Sequence, residues 1–366
     1  MTRKNANNET SLPLTISSKD GLVDQISYFN KTVASKDMSG YYLLKNGEYA
    51  YNKSYSVGYD FGSVKRLDRY DMGALSTLYI CFAPKKHDSD FIKAYFDSLK
   101  WYRGIYMISA EGARNHGLLN VPTDEFFDTK HYIPQDLSEQ RKIADFIIAL
   151  DHRIEAQQSL VDNLRKYKRG VVKLILTKQI RFTDKDGKCY PEWSVCALQD
   201  AVDFLDGQRK PLESADRARR QGEYPYYGAS GIIDHIDGYI FDEPLILLGE
   251  DGANIINRSS PLCFIATGKY WVNNHAHVMR PHNGQNINFL CELLESLDYT
   301  RYNTGTAQPK LNQEKCRKIP LNLPVYEEQC RIADFLSAIE QKYKQEQEKL
   351  YGLLQAQNAL MQQLFI

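Results

Sequence analysis

Acidic and histidine side chains that could perform chemistry lie close together in the second half of the chain. Gly249-Glu-Asp-Gly252 places two carboxylates beside a strand-like run, and Asn273-Asn-His-Ala-His277 places two histidines on one side of a predicted strand. Carboxylates with a lysine nearby suit a metal-dependent nuclease, and histidines are common metal ligands, although no third ligand is evident. A turn bounded by glycines and a loop held by its own polar groups are the favoured structural interpretations.

Basic and aromatic side chains form a second concentration. From Gly207 to Gly222 there are five basic and two acidic residues, a local charge of +3, and tyrosines follow at once. From Arg165 to Lys188 there are nine basic and two acidic residues, a local +7. Positive side chains beside aromatic rings suit phosphate contacts, and Asn or His side chains suit base edges. The total charge, however, is zero over 366 residues, so any nucleic-acid contact has to come from such local concentrations.

Other classes of protein are disfavoured. The chain has no phosphate-binding P-loop, no metal-binding His-Glu-x-x-His helix and no Gly-x-Ser-x-Gly nucleophile turn. It also has no run of 18 apolar residues and begins with a polar segment, which argues against a membrane protein and against secretion. Its seven cysteines form no Cys-x-x-Cys pair, so reduced thiols and a cytoplasmic location are expected.

The elements that must position these residues repeat along the chain. Residues 139–151 and 328–340 agree at seven of 13 positions, and each segment begins an amphipathic helix of about 37 residues with an unbroken heptad pattern. The predicted apolar seam comprises Ile143, Ile147, Leu150, Ile154, Val161, Leu164, Ile332, Leu336, Ile339, Leu350, Leu353 and Leu360. Because so long a helix needs a partner for its apolar stripe, the two copies are expected to pair with each other.

The segments before the two helices repeat more faintly, which predicts two related domains. Strand-like runs at 79–82, 245–248 and 262–266, with short helices at 91–99 and 289–297, indicate a mixed α/β fold. The predicted order is a first domain over residues 1–138, a helix over 139–178, a second domain over 179–327 and a helix over 328–366.

The repeated Glu-Gln-x-x-Ile-Ala-Asp-Phe segment and the doubled domains resemble the specificity subunit of type I restriction–modification systems. Further family-like segments are Leu14–Ser17, Tyr51–Ser54, Leu75–Tyr79, Gly112–Arg114, Gly228–Ile232, Gly249–Ala253, Gly268–Trp271, Asn273–His277 and Gly305–Asn312. The resemblance covers nearly the whole chain. It implies two target recognition domains, each followed by a conserved helix, with the two helices paired as an antiparallel coiled coil.

The resemblance also implies a function. The chain would be a non-catalytic subunit that reads a bipartite double-stranded DNA target and docks two methyltransferase (modification) subunits and restriction/translocase subunits. S-adenosylmethionine, ATP and Mg²⁺ are expected on those partners, with no cofactor or metal on this chain and no membrane partner. The predicted DNA contacts are Asn52, Lys53, Ser54, Arg66, Arg114, Asn115, His116, Arg209, Lys210, Tyr227, Ser230, Asn274, His275, Thr306, Gln308 and Lys310. Arg209, Lys210 and Lys310 are expected at phosphates, and Arg114, Asn115, Asn274 and His275 at base edges.

One departure from the family pattern leaves an alternative open. The second domain has about 30 residues before its Tyr-Gly-Ala-Ser-Gly run, whereas the first has about 15 before the corresponding place. A second hypothesis is therefore a truncated adaptor or decoy that binds the methyltransferase subunit but reads only one half-site. A third is the metal nuclease, with Glu250 and Asp251 as its carboxylates.

Overall fold

The computed structural model describes residues 3–109, 119–305 and 308–365. Of the predicted DNA contacts, Arg114, Asn115, His116 and Thr306 lie outside the described residues. The chain divides into two compact units: unit 1 is Met1–Ser159 with Glu348–Ile366, and unit 2 is Leu160–Gln347. Each unit therefore combines one domain with parts of both long helices.

Unit 1 is a mixed α/β domain followed by the start of a long helix. Its strands are β1 (Pro13–Ser17), β2 (Gly21–Asp24), β3 (Tyr42–Lys45), β4 (Tyr49–Asn52), β5 (Ser63–Arg66), β6 (Met72–Leu75) and β7 (Ile80–Phe82). Its helices are α1 (Gln25–Phe29), α2 (Ser89–Asp97), α3 (Tyr102–Ser109), α4 (Thr123–Asp128) and the first part of the long helix α5 (Leu137–Leu176). The strands form two sheets, in the orders β2-β1-β6-β3 and β5-β4-β7.

Unit 2 contains the second domain. Its strands are β8 (Ser194–Ala197), β9 (Val202–Phe204), β10 (Gln221–Gly228), β11 (Gly231–Ile236), β12 (Phe241–Asp242), β13 (Leu245–Gly249), β14 (Cys263–Ala266), β15 (Lys269–Val272), β16 (Ala276–Pro281) and β17 (Pro320–Leu323). Its helices are α6 (Ser214–Arg219), α7 (Asn254–Asn257), α8 (Ile287–Ser296), α9 (Gln313–Arg317) and the first part of α10 (Tyr326–Leu364). The sheets are ordered β11-β10-β15-β12, β14-β13-β16-β9 and β17-β8.

The two domains share one strand topology. In unit 1, β1 pairs antiparallel with β2 and parallel with β6, and in unit 2, β10 pairs antiparallel with β11 and parallel with β15. The second sheet corresponds as well, because β5-β4-β7 has the same order as β14-β13-β16. Among the described residues, β8, β9 and β17 of unit 2 have no counterparts in unit 1. The internal repeat therefore extends from the helices into the domains.

Short helices stand at the two places that the sequence indicated. Helix α2 begins after Asp88, whose carboxylate accepts a hydrogen bond from the Phe91 N–H, and α8 begins after Asn286, whose side chain accepts from the Phe289 N–H. Both phenylalanine rings are buried. The expected helices at these two places are therefore confirmed, with bounds that differ by one or two residues.

The two long helices pack antiparallel in each unit. In unit 1, Ile147 and Met361 belong to one apolar core, and Gln357 donates a hydrogen bond to Asp151. In unit 2, the Lys168 Nζ lies 3.0 Å from Glu340, and the Arg181 Nη2 just past α5 lies 3.0 Å from Glu328. Rising residue numbers in α5 thus meet falling numbers in α10. The mixed α/β fold with two long paired helices is confirmed.

The predicted seam lies on the inner side of these helices. Ile147, Val161, Ile332, Leu336 and Leu350 are buried. The other predicted seam residues, Ile143, Leu150, Ile154, Leu164, Ile339, Leu353 and Leu360, are half-buried. None of the helices in the described ranges combines the length and the apolar character needed to cross a membrane.

Candidate nucleic-acid interface

Four loops of the second domain meet at one edge of unit 2. They are residues 228–231, 249–253, 273–275 and the described parts of the last loop, 303–305 and 308–312, and we call them the loop cluster. The Asn273 N–H donates to the Tyr227 carbonyl at 3.1 Å, the Glu250 N–H to the His275 carbonyl at 2.8 Å, and the Leu311 N–H to the Glu250 carbonyl at 2.7 Å. These loops contain four of the segments that resemble the family, so the fold brings together motifs that lie up to about 80 residues apart in the sequence.

Close backbone approach explains two glycines of the loop cluster. A Cβ atom on Gly249 would lie 2.7 Å from the Ala229 carbonyl oxygen, and one on Gly305 would lie 1.7 Å from the Gln308 carbonyl oxygen. Both distances are shorter than any side chain allows. The glycines therefore permit the contacts that hold the loops together.

A buried charged network lies beneath the loop cluster. His277 is fully buried; its Nδ1 lies 2.7 Å from an Asp206 carboxylate oxygen and its Nε2 lies 2.7 Å from the Leu311 carbonyl oxygen. Because a carbonyl oxygen can only accept, Nε2 donates there. His277 therefore links β16 to the loop cluster and to Asp206.

The charge of Asp206 is stabilised by this network. Burial alone raises the pKa of Asp206, but hydrogen bonds from His277 and from the Val278 N–H, together with the nearby charge of Arg209, outweigh burial and hold the pKa below its usual value. Gln313 donates a further hydrogen bond to Asp206 at 2.7 Å. Asp206 was missed by the sequence analysis, because no local pattern marks it.

Arg209 belongs to the same network. Its Nη1 donates to Glu250 at 2.8 Å and to the Ala276 carbonyl at 2.7 Å, and its Nε donates to the Asp206 carbonyl at 3.0 Å. Only 14% of its side chain is exposed. This placement favours positioning of the loops over the direct phosphate contact that the sequence suggested.

Glu250, one of the two carboxylates that suggested a nuclease, is paired with cationic side chains. Asp206, Glu250 and His277 offer ligand atoms within 4.8 Å of one another, which is close enough to hold a metal ion. However, Glu250 accepts from Arg209 and lies 3.3 Å from the Lys310 Nζ, and Asp206 accepts from His277. Both carboxylates thus already have protein partners. Asp251, the other predicted carboxylate, does not belong to this group.

The outer side of the loop cluster carries small polar groups. Ser230, Asn274, His275, Gln308 and Lys310 are exposed. The His275 Nδ1 lies 2.8 Å from an Asp251 carboxylate oxygen. These five predicted contacts therefore lie in the loop cluster and present hydroxyl, amide, imidazole and ammonium groups to solvent.

The basic stretch before β10 is largely used for internal pairing. Arg217 donates to Asp234 at 3.0 Å and Arg220 to Asp237 at 2.9 Å. Lys210 is exposed, while its carbonyl accepts from Trp271. Of the predicted contacts in this stretch, Lys210 is the cation that is available to a phosphate.

Tyr227 stands partly inside the second domain. Its ring packs 5.7 Å from that of Phe264 and 5.6 Å from that of Tyr270, and burial raises the pKa of its hydroxyl. These contacts hold the ring against the sheet beneath the loop cluster.

The predicted DNA contacts of the first domain lie farther apart than those of the loop cluster. Asn52 pairs with Ser63 and Arg66 with Tyr49, so these two candidates lie at opposite ends of the β4–β5 ladder. Arg66 binds Asp68 and Asp90, with 15% of its side chain exposed, beside a cavity of about 800 Å³. Asn52, Lys53 and Ser54 are half-buried at the end of β4.

Lys53 takes the place in unit 1 that Glu250 takes in unit 2. The Leu119 N–H donates to the Lys53 carbonyl at 3.0 Å, as the Leu311 N–H does to the Glu250 carbonyl. Each follows the strand at the centre of its sheet. The same backbone position therefore carries opposite charges in the two domains.

A buried glutamine near the start of each long helix holds the domain in place. The Gln140 Oε1 accepts from the Asp88 N–H and its Nε2 donates to the Pro134 carbonyl, at 2.9 and 2.7 Å. Gln329 makes the same two bonds to the Asn286 N–H and the Pro324 carbonyl, at 2.9 and 3.0 Å. We call this arrangement the glutamine clamp. The repeated Glu-Gln pair marked it in the sequence, but its role was missed.

Together these features define a class of protein with two related α/β domains, each followed by a long helix, and with polar loops gathered at one domain edge. Residues 190–354 match the type I restriction modification DNA specificity domain. The second half of the chain is thus similar to that family, and the resemblance inferred from the sequence is confirmed there.

Individual relatives agree. A type I restriction enzyme specificity subunit of Haemophilus influenzae is 32% identical over 148 residues, which cover 40% of this chain and 37% of the relative. The EcoprrI type I restriction enzyme specificity subunit of Escherichia coli is 28% identical over 113 residues, covering 31% of this chain and 27% of the relative. These matches thus span well under half of the length of either relative.

Solved structures agree in fold. A chain from a type I restriction–modification system, solved to explain complex assembly and conformational transition, has a TM-score of 0.59 at 15% identity and covers 99% of this chain and 93% of its own length. The type I S subunit from M. genitalium has a TM-score of 0.57 at 16% identity, covering 92% of this chain and 87% of its own length.

Proposed function

We propose that this chain is the DNA-reading specificity subunit of a type I restriction–modification complex, in which each domain contacts one half of a bipartite duplex target. The observation that supports this most strongly is the loop cluster, which gathers four family-like segments at one domain edge. Reading DNA requires such a surface, because base edges are recognised by several side chains at once.

The electrostatics of the loop cluster favour DNA over an acidic or metal ligand. The carboxylates of Asp206 and Glu250 face Arg209, His277 and Lys310, so their charges are offset inside the protein. The exposed side chains are then free of strong repulsion from phosphates. Asn274, His275 and Gln308 carry the donor and acceptor groups that suit base edges, and Lys210 and Lys310 suit phosphates.

Different side chains at equivalent positions suit two different half-sites. Lys53 stands where Glu250 stands, and the turn at residues 76–79 of unit 1 corresponds to the turn at 273–275 of unit 2. A shared framework with unlike loops is what two domains that read unlike sequences require.

The proposal includes the partners. Chemistry on the DNA would be performed by two modification subunits using S-adenosylmethionine and by restriction subunits using ATP and Mg²⁺, while this chain supplies specificity and no catalytic group. The cytoplasm is the expected location of such a complex.

A second candidate function is an adaptor or decoy that binds the modification subunit and reads only one half-site. The dispersed candidates of unit 1, with Arg66 held by Asp68 and Asp90, favour it. Selection of binding sites from a randomised duplex library by the purified full chain separates the two functions. Two fixed blocks with an unread spacer of constant length support the specificity subunit, one block supports the adaptor, and no enrichment contradicts both.

Single substitutions identify which loop reads which block. Asn274→Ala should relax one block and leave the other unchanged, at a cost of about 1–3 kcal/mol for each lost base contact. Lys210→Ala should weaken binding to all sequences and reduce the salt dependence by about one phosphate contact. Lys344→Ala, at an exposed position of α10, is the matched control; an equal effect at both lysines would contradict the assignment of Lys210.

A further inference from the structure

The segment between α5 and β10 docks on the start of α10 in unit 2. Arg181 follows α5 and binds the fully buried carboxylate of Glu328 at 3.0 Å. The Trp193 Nε1 donates to the same carboxylate at 3.1 Å. The Phe182 ring packs edge-on against Phe335 with 5.6 Å between centroids. Glu328 and Phe335 are seven residues apart, so they lie two turns apart on one face of the helix.

The same segment completes two sheets of unit 2. Strand β8 pairs antiparallel with β17, joining Leu321 to Cys196, and β9 pairs antiparallel with β16, joining Met279 to Phe204. Its apolar side chains at Leu198 and Val202 are buried in the main core. The segment at 181–204 thus supplies a cation, a ring and two strands to one side of unit 2.

Helix α5 has the equivalent residues in unit 1. Glu139 and Phe146 of α5 occupy the positions of Glu328 and Phe335 in the helix repeat. Glu139 is exposed, whereas Glu328 is fully buried, and 49% of Phe146 is exposed. No described residue binds the Glu139 carboxylate. The helix face that carries a docked segment in unit 2 therefore has no equivalent segment among the described residues of unit 1.

Both strand edges are open as well. Strand β7 corresponds to β16 but, within the described part of unit 1, pairs only with β4. Residues 130–133 directly precede Pro134, and β17 directly precedes Pro324. The two prolines are equivalent, because each carbonyl accepts a hydrogen bond from the glutamine of its clamp. They form no ladder with any described strand. Exposed rings flank these edges: Phe127 is 50% exposed and Tyr132 is 82% exposed.

We propose that this face of unit 1, formed by Glu139, Phe146, residues 130–133 and β7, is a docking site for a polypeptide segment with the chemistry of residues 177–204. The occupant has an Arg-Phe pair followed by two short strands. Arg binds Glu139, the Phe ring packs on Phe146, and the strands extend from residues 130–133 and β7. Such β-augmentation gives affinity through the main chain and specificity through the anchoring side chains.

The tryptophan of the segment is the least important of its anchors in unit 1. In unit 2 the Trp193 ring packs 6.1 Å from that of Phe289, and Phe289 corresponds to Phe91. In unit 1 the ring of Phe365 already lies 5.6 Å from that of Phe91. The arginine and the strands, which have no substitute among the described residues of unit 1, should therefore dominate binding.

The test is titration of a fluorescein-labelled peptide of residues 177–204, with Cys189 and Cys196 replaced by Ser, against the purified full chain. Fluorescence anisotropy should show saturable binding of one peptide per chain. Glu139→Lys in the chain should weaken it at least about tenfold, and Arg181→Glu in the peptide should restore it. Glu348→Lys, at another exposed glutamate of unit 1, is the matched control and should leave binding unchanged.

Hydrogen exchange locates the bound peptide. Amides of β7 and of residues 130–133 should become protected on binding, whereas those of β16 and β17, already paired in unit 2, should not change. Trp193→Ala in the peptide should weaken binding less than Arg181→Glu does. Absence of saturable binding, or equal binding to the Glu139→Lys and Glu348→Lys chains, would overturn the proposal.

Discussion

Units 1 and 2 share their backbone design and differ in their side-chain networks. Both have the same strand order, the same pairing of α5 with α10 and the same glutamine clamp. Only in unit 2 do described residues cover the helix start, where Arg181 and Trp193 bind Glu328, and only there does a buried His–Asp–Arg network support the loops. Main-chain contacts thus maintain the repeat, while charged networks differ between its two copies.

The largest expected difference lies at the repeated glutamates. Glu328→Ala leaves Arg181 without its buried partner and the Trp193 N–H without an acceptor, and should lower the free energy of unfolding by about 3 kcal/mol. Glu139→Ala, at the equivalent exposed position, should change it by less than about 0.5 kcal/mol. Urea unfolding of both variants checks this. Equal losses would mean that Glu139 has a partner equivalent to Arg181, and the contrast between the units would fail.

The glutamine clamp should, in contrast, be equally important in both units. Gln140→Leu leaves the Asp88 N–H without an acceptor, and Gln329→Leu does the same to the Asn286 N–H. Each should cost about 2 kcal/mol, because an unsatisfied buried donor carries its full desolvation penalty. Gln158→Leu, on an exposed face of α5, is the control. If only one of the two substitutions lowered the free energy of unfolding, the two clamps would have the same geometry but contribute differently to stability.

The smallest expected effects on stability are those of two aspartates, whose charges act in opposite directions. The pKa of Asp206 is lowered, so its charge stabilises unit 2 fully above about 3.8 and loses this contribution as pH falls through the lower folded-state pKa. Burial raises the pKa of Asp151 in unit 1, so its ionisation destabilises the fold above that raised pKa, and the penalty disappears as pH falls. Asp206→Asn should cost about 1.5 kcal/mol at neutral pH, and Asp151→Asn should gain less than about 0.5 kcal/mol.

Urea unfolding of these two variants and the parent, repeated from neutral to acidic pH, is the measurement. The loss caused by Asp206→Asn should shrink at acidic pH. A loss that persists unchanged in acid would show that its origin is packing and not charge.

Local patterns predicted the helices and much of the core, because periodicity and capping act over a few residues. The heptad of Ile332, Leu336 and Ile339 needs no knowledge of the fold, and neither does the strand at residues 245–248. The resemblance also identified the segments that the fold gathers into the loop cluster.

Side-chain roles within that cluster could not be predicted, because they depend on contacts far apart in the sequence. The Asp206–His277 bond joins residues 71 positions apart, and the Gln140–Asp88 bond joins residues 52 apart. Arg209 looked like a phosphate ligand because its sequence neighbours are basic, yet its partners Glu250 and Ala276 come from the loop after β13 and from β16. The sequence shows how many charged residues a segment has, but only the fold shows which of them pair with opposite charges.

The glutamine clamp has a consequence for how such chains diversify. Gln140 and Gln329 each bind two peptide groups of their domain, a backbone N–H and a proline carbonyl, and each contacts one side chain, that of His87 or that of Gln285. Nearly every exposed loop of a domain could therefore be exchanged without loosening its attachment to the helix. The joint constrains few residues of the domain: the proline before the helix, the residue whose N–H is accepted, and the side chain at the position of His87 or Gln285.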